Sequence, residues 1–311
     1  MDALAVVIQA PGELGLRTVG LVPPSDGDVV VGVEWSGIST GTERLLWSGR
    51  MPAFPGMGYP LVPGYETVGR VIDAGAGSAL VPGQRVFVPG ARCYADVRGL
   101  FGGAAARLVV PEERVTPVDE GLGENAVLLA LAATAHHAVA GGDTLPELIV
   151  GHGVLGRLLA RLVQAKGGMP VVWETSDGRR GDALGYSCIH PDSDDRTDYR
   201  AIVDVSGDVS GLDALIQRLA PGGEVVLAGF YDQPIRFDFA KAFLKEPRLR
   251  IAAEWRQPDL DAVQTLISSG ALALGDLITH RLPARDAPEG YRTAFSDASC
   301  LKMILDWRGS A

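Results

Sequence analysis

The sequence has 311 residues, enough for two domains, and its 40 glycines, 20 prolines and 47% hydrophobic content suit a turn-rich α/β protein rather than a helical bundle or a disordered chain. A net charge of −10 disfavours nucleic acid and anionic membrane surfaces as partners. Cys93, Cys188 and Cys300 are odd in number and far apart, which indicates neither a disulfide framework nor a clustered metal site and makes reduced cytoplasm the simplest setting.

Met1 to Gln9 has no basic leader pattern and passes directly into a strand-like run. Ala3 to Ile8, Asp28 to Trp35, Thr67 to Asp73 and Gln84 to Pro89 are short runs rich in β-branched residues, bounded by Gly, Pro and Asp turns. They predict a compact, partly barrel-like β domain over about the first 110 residues. Val127 to Val139 reads as a long apolar helix. The uncharged run around it, Ala126 to Gly142, is shorter than the ~20 residues that span a bilayer and holds His136 and His137, so a buried helix is expected.

Glu147 to Glu174 then reads as a strand, a glycine turn, a helix and a second strand ending in a carboxylate. Gly151, Gly153 and Gly156 fit G-x-G-x-x-G, with His152, Val154 and Leu155 between them. One glycine turns the chain, one lets backbone approach a pyrophosphate, and one lets helix pack on strand. Val154, Leu155, Leu158, Leu159, Leu162 and Val163 form an apolar stripe, while Arg157, Arg161 and Gln164 fall on the other side. The helix N-terminus favours an anion. Glu174 is placed to bond ribose hydroxyls and repels a 2′-phosphate, which points to NAD as cofactor; Arg179 and Arg180, which can reach such a phosphate, pull toward NADP. The alternative is a glycine-rich turn that binds nothing.

The alternation continues with a helical turn near Arg179 to Leu184, a strand at Ala201 to Val205, a helix from Leu212 to Leu219 and a strand at Glu224 to Gly229. A last strand near Arg248 to Ala253 and a helix from Leu260 to Ser268 complete a doubly wound parallel sheet. From Leu277 a strand, a helix at Ala287 to Phe295 and Leu301 to Trp307 are expected to return to the first domain.

Several motifs occur in order: SGISTGTE (Ser36 to Glu43), PGYETVGRV (Pro63 to Val71), PGQRV (Pro82 to Val86), GGAAARLVVP (Gly102 to Pro111), TAHHAV (Thr134 to Val139), the GHGVLG turn and LAPGGEVVLAG (Leu219 to Gly229). Together they resemble the medium-chain dehydrogenase/reductase superfamily over nearly the whole chain. The resemblance implies a GroES-like catalytic domain over 1–122, completed by 272–311, and a Rossmann NAD-binding domain over 123–271. Homodimers through the last strand of the nucleotide sheet are usual there, so a dimer is expected by analogy.

Zinc-dependent members carry a cysteine in the first motif and a histidine before the glutamate of the second. Here Ser39 or Thr40 and Tyr65 stand at those places, and hydroxyls are poor zinc ligands, so no catalytic metal is expected. The structural-zinc lobe is missing too, since only Cys93 lies in the short segment Pro89 to Gly102. Another group must then handle the proton. Tyr65, Ser39, Thr40 and Thr42 are candidates, although Tyr65 can equally fill vacated space. His136 and His137 lie on the helix that approaches the cofactor in the family. Neighbours on a helix point about 100° apart, so one is expected to pack in the core and the other to meet substrate or ribose. His152 is expected to contact phosphate or cap its loop, and Glu66 to bond to nearby backbone or an arginine.

Leu45 to Tyr65 is too apolar for a solvated connector and too rich in Gly and Pro for a long helix. Trp47, Met51, Phe54, Met57 and Tyr59 suit a large flat apolar ligand, with Arg44 or Arg50 for an acid group; a loop packed on its own barrel is the alternative. The same loop, with VFVPGARCY, RGLFGGAAARLVV, LLALAATAHHA and LIVGHGVLGRLLARL, resembles one branch, the bacteriochlorophyllide a dehydrogenases of bacteriochlorophyll synthesis. That implies NAD-dependent oxidation of the 3-(1-hydroxyethyl) group of a tetrapyrrole to 3-acetyl, in the cytoplasm or at the face of photosynthetic membranes. A zinc-free quinone or enoyl reductase using NADPH, and a non-catalytic nucleotide-binding relative, are the alternatives.

Overall fold

The computed structural model describes residues 1–53, 55–181 and 183–310, in two compact units: Met1–Ala130 with Gly275–Ala311, and Leu131–Leu274. Phe54 lies outside the described residues.

The first unit opens with a hairpin of β1 (Asp2–Ala10) and β2 (Glu13–Gly20), the second of which the composition of its sequence had not suggested. β3 (Asp28–Ile38) follows, then α1 (Thr42–Ser48), β4 (Leu61–Val62), β5 (Thr67–Ala74), β6 (Arg85–Val88), β7 (Arg98–Gly99), β8 (Arg107–Pro111) and β9 (Thr116–Pro117). β1, β2, β4 and β7 form one sheet. β3 is buried along almost its whole length because it lies between β5 and β8 within a second sheet and carries core on both faces, which is why its valines run nearly unbroken.

α2 (Leu129–Ala140) enters the second unit, where β10 (Leu148–Val150), α3 (Val154–Ala165), β11 (Val171–Trp173), α4 (Asp177–Arg180), β12 (Ser187–Ile189), β13 (Tyr199–Asp204), α5 (Leu212–Arg218), β14 (Leu219–Leu227), α6 (Phe239–Phe243), β15 (Arg248–Ile251) and α7 (Gln257–Ser268) alternate. The sheet is parallel, in the order β12-β11-β10-β13-β14-β15. This doubly wound order reverses at β10, so the β10–α3 turn lies where such sheets bind ligands. The turn expected at Arg179 to Leu184 is earlier, at Asp177–Arg180, where Arg180 reaches back to the carbonyls of Glu174 and Thr175 and closes a single helical turn. β15 is an edge strand, and Leu249, Ile251, Phe239, Phe243 and Leu244 are exposed along it.

The chain then returns through β16 (His280–Pro283), α8 (Ala287–Ser296) and β17 (Met303–Asp306), and β17 pairs with β3 in the first unit. Among the described residues no helix is long and apolar enough to cross a membrane.

Candidate active site

In the first unit, the three residues after β3 turn the chain into α1. The Ser39 Oγ accepts from Thr42 N–H at 3.3 Å, and Glu43 Oε1 accepts from Ser39 N–H at 3.0 Å. The two side chains thus brace the turn that leads into α1. Tyr65, on the segment entering β5, donates its phenol to Ser39 Oγ at 2.8 Å, and Thr42 Oγ1 lies 3.5 Å from the same phenol. A serine oxygen has two lone pairs and one proton. Both lone pairs are taken here, so the remaining capacity of the Ser39 hydroxyl is to donate. Burial, then the charge of Glu66, pushes the Tyr65 phenol well above its ordinary value, so it holds its proton and acts as a donor rather than a base. Of the four hydroxyl candidates, Ser39, Thr42 and Tyr65 come together, while Thr40 is exposed.

Two carboxylates lie buried behind this group. Glu66 is 0% exposed and Lys302 2%. The Lys302 Nζ donates to Glu66 Oε2 at 2.7 Å, to Oε1 at 3.0 Å and to the Ile38 carbonyl at 3.1 Å. The expected arginine partner is therefore a lysine, from the segment just before β17. Gly37 is needed beside it, since a Cβ there would sit 2.3 Å from Glu66 Oε2. Glu43 is 0% exposed as well, and its Oε2 accepts from Tyr291 O–H on α8 at 2.5 Å. Burial raises the Glu43 carboxyl to about 7, against the lowering pull of the Tyr291 and Ser39 donors. Reasoning from sequence missed Glu43, Tyr291 and Lys302. Only Glu43 left a local signal, as an acid in the first turn after a serine. Among the described residues, no group of three or more His, Cys, Asp or Glu side chains is arranged to hold a metal ion.

The apolar loop packs largely on its own barrel. Met51 is 6% exposed and clusters with Ile8, Leu46, Leu61 and Leu100, while Trp47, Met57 and Tyr59 lie against that cluster. Trp47 meets Phe295 with ring centroids 5.7 Å apart, and the Tyr59 hydroxyl donates to the Leu46 carbonyl at 2.5 Å. Met51 is thus a core residue rather than a ligand contact. Arg44 is exposed on α1.

In the second unit, Gly151 has φ +104°, a backbone that side-chain-bearing residues rarely adopt. A Cβ on Gly156 would sit 1.9 Å from the Gly151 carbonyl, whereas a Cβ on Gly153 would meet nothing within 4 Å. The turn is therefore closed where α3 packs on it and open at Gly153. No side chain caps α3, which leaves its first N–H groups, from Val154 and Leu155 onward, for an anion. Glu174, at the end of β11, accepts from Ser176 N–H at 2.8 Å and His152 N–H at 3.2 Å, and each oxygen keeps a lone pair for a further donor. Glycine turn, uncapped helix and carboxylate fit a dinucleotide.

Of the two roles expected for His152, capping the loop is the one its contacts fit: the ring is buried, its Nδ1 bonds the Arg179 carbonyl at 2.6 Å and its Nε2 the Tyr186 hydroxyl at 2.7 Å, and it ties the α4 loop to the glycine turn. One expectation about this turn needs correction. Arg157, placed by periodicity on the polar side of α3, is 6% exposed. It donates to the carbonyls of His152 and Arg179, both at 3.2 Å, and a guanidinium that satisfies buried carbonyls is cheaper to bury than one without partners. Arg179 thus joins the site through its main chain, and Arg180 is turned toward Glu174 O, Thr175 O and Asp177.

His136 and His137 do not diverge as expected. Their Nδ1 atoms converge on one carboxylate, Asp259 at the start of α7, at 2.8 Å (Oδ1) and 2.9 Å (Oδ2). Asp259 also accepts from Arg256 N–H at 2.9 Å. Burial pushes its pKa up, but the His136, Arg256 and His137 donors outweigh it and hold the group below its ordinary value. An ionised carboxylate only accepts, so both rings donate through Nδ1 and, when neutral, present Nε2 as an acceptor.

The alcohol dehydrogenase GroES-like domain matches residues 25–120. The 2-desacetyl-2-hydroxyethyl bacteriochlorophyllide A dehydrogenase of Cereibacter sphaeroides is 57% identical, with 100% of each chain covered. The enzyme of the same name from Rhodobacter capsulatus is 55% identical, with 99% of each covered. The acetophenone reductase of Geotrichum candidum, solved in complex with NAD, superimposes with a TM-score of 0.84 at 18% identity, over 98% of this chain and 97% of that one, and so shares the fold. On this identity over its full length, the chain belongs to the 2-desacetyl-2-hydroxyethyl bacteriochlorophyllide A dehydrogenase family, within the medium-chain dehydrogenase/reductase fold.

Proposed function

We propose that the protein is an alcohol dehydrogenase that oxidises the 3-(1-hydroxyethyl) side chain of a bacteriochlorophyllide or chlorophyllide to 3-acetyl, with NAD as hydride acceptor and without catalytic zinc. Full-length identity to two enzymes named for this substrate carries the reading.

In the reaction the carbinol C–H bond breaks with its electron pair, the O–H proton is lost, and C=O forms. When bound, the nicotinamide accepts the hydride. Ser39, fixed by Tyr65 and Thr42, orients the reacting oxygen through a hydrogen bond from its hydroxyl. One of His136 and His137, held by Asp259 with Nε2 as acceptor, is the second unit's candidate base. Gly151, Gly153, Gly156 and the first turn of α3 receive the pyrophosphate, and Glu174 receives the ribose hydroxyls. Solved chains of this fold hold NADP as well as NAD, so the choice rests on Glu174, whose carboxylate repels a 2′-phosphate. Arg44 pairs with the substrate's propionate. The exposed apolar edge at β15 carries a homodimer contact, which sedimentation at several concentrations checks.

The deciding experiment mixes purified protein, NAD and a 3-(1-hydroxyethyl) pigment. A shift of the pigment's red absorption band in step with NADH formation is expected. NADPH consumption with a small enone or quinone instead, or binding of NAD with no turnover, sinks the assignment. A stoichiometric zinc that chelators remove together with activity ends the metal-free reading.

A further inference from the structure

Three ionisable side chains are buried behind Ser39 and Tyr65. Glu66 and Lys302 neutralise one another at 2.7 Å. Glu43 faces Tyr291 from α8, Glu66 and Tyr65 from the segment entering β5, Lys302 from before β17, and Ser39 and Thr42 from its own turn. Its carboxylate oxygens accept from neutral donors, Ser39 N–H and Tyr291 O–H. When Glu43 is ionised the cluster therefore carries one net negative charge, shielded from water. A Lewis acid at such a place stabilises electron density arriving on oxygen. A buried negative charge does the reverse and stabilises a neighbouring carbon that becomes electron-poor.

We propose that Glu43 is a positioning residue for hydride departure: it fixes the Ser39 main chain, and its charge, set behind the Ser39 and Tyr65 hydroxyls, favours a transition state in which C–H cleavage runs ahead of O–H cleavage. This rests on the oxidation proposed above. The carbinol carbon loses two electrons and a proton's mass as hydride to NAD, the hydroxyl proton leaves separately, and the positive charge that builds on carbon in between is shared with the conjugated macrocycle and opposed by Glu43. The same transition state serves acetyl reduction, so both directions depend on it. Because the Glu43 carboxyl is held at about 7, its charge is present above that pH and absent below.

The test uses full-length protein, the hydroxyethyl pigment and NAD. Glu43→Gln keeps the shape and the Ser39 bond, and above pH 7 it is expected to lower kcat by on the order of tenfold to a hundredfold, the scale of one unit charge at several ångströms in protein. NADH affinity should hold, and the deuterium isotope effect at the carbinol carbon should grow as hydride transfer becomes slower. Tyr291→Phe removes a donor that lowers the Glu43 pKa, so it should move the Glu43 limb of the rate profile to higher pH. A Glu43→Gln protein whose kcat stays within about twofold of wild type overturns the inference. So does a Tyr291→Phe protein whose profile does not move, and this second variant decides the matter if the first fails to fold. Wild-type protein that turns over no hydroxyethyl pigment brings down the proposed function itself, a failure seen before any variant is made.

Discussion

Glu43 and Asp259 are both buried, one in each unit, yet their carboxyls move in opposite directions. Asp259 collects two imidazoles and a main-chain N–H, and stays ionised below its ordinary range; Glu43 collects two neutral donors, and burial carries it up to about 7. Glu43 is the more deeply buried of the two and also faces Glu66, so desolvation wins there, whereas at Asp259 three donors outweigh it. The second unit holds the glycine turn and a pair of imidazoles tied to one ionised carboxylate. The first unit keeps charge and a forced hydroxyl donor close to the place where chemistry is assigned.

The strongest way to break this contrast is Ser39→Ala. Removing the donor should lower kcat by about 10²–10³ while NADH titration gives the same Kd, and an unchanged kcat would leave the first unit without a chemical role. Next comes stability. The folded Glu43 holds a proton between its unfolded value of 4.5 and about 7, so wild-type stability from this group declines as pH rises through that window, by about 3 kcal/mol in all. Glu43→Gln should therefore raise Tm above pH 7, the variant being more stable and less active. Asp259→Asn should do the opposite. The folded Asp259 pKa is depressed, so its contribution is present above the unfolded value and is lost as acid titrates the folded group; the variant's deficit in Tm should shrink on acidification. Parallel behaviour of the two variants would erase the distinction. Tyr65→Phe should cost roughly tenfold in kcat with little change in NAD binding, because Ser39 loses one of two bonds that orient it. Smallest of all, Glu174→Gln should erode the preference for NAD over NADP by several-fold, roughly 1 kcal/mol, as measured by the ratio of the two kcat/KM values; an unchanged ratio removes Glu174 from the cofactor choice.

The contrast also follows what the sequence made legible. The second unit was readable because its signals are local: strand, glycine turn, helix and acid lie within Glu147 to Glu174. Even there, Arg157 defeated simple periodicity, since angular position on a helix does not reveal a carbonyl waiting to bind a guanidinium. In the first unit Ser39, Thr42 and Tyr65 were identified from motif positions, and the structure joins them. Their support was hidden. Tyr291 is 248 residues from Glu43 and Lys302 is 236 from Glu66, and no local pattern marks such a pair. Asp259, 123 residues from His136, was missed for the same reason. Residue type alone suggested a ligand surface at Met51, whereas its place among Ile8, Leu61 and Leu100 makes it core.

The return of the chain to pair β17 with β3 also has a bearing on how the protein is made. The residues of the nucleotide unit are contiguous and leave the ribosome together, free to fold as one piece, while the earlier barrel waits for its final strand. Until Lys302 emerges, Glu66 has no cation to be buried with, and until Tyr291 emerges, Glu43 lacks its donor. A nascent or truncated chain ending before α8 therefore lacks the two side chains that complete the buried charge cluster of the first unit, so the hydroxyl site matures only after the nucleotide unit has been made.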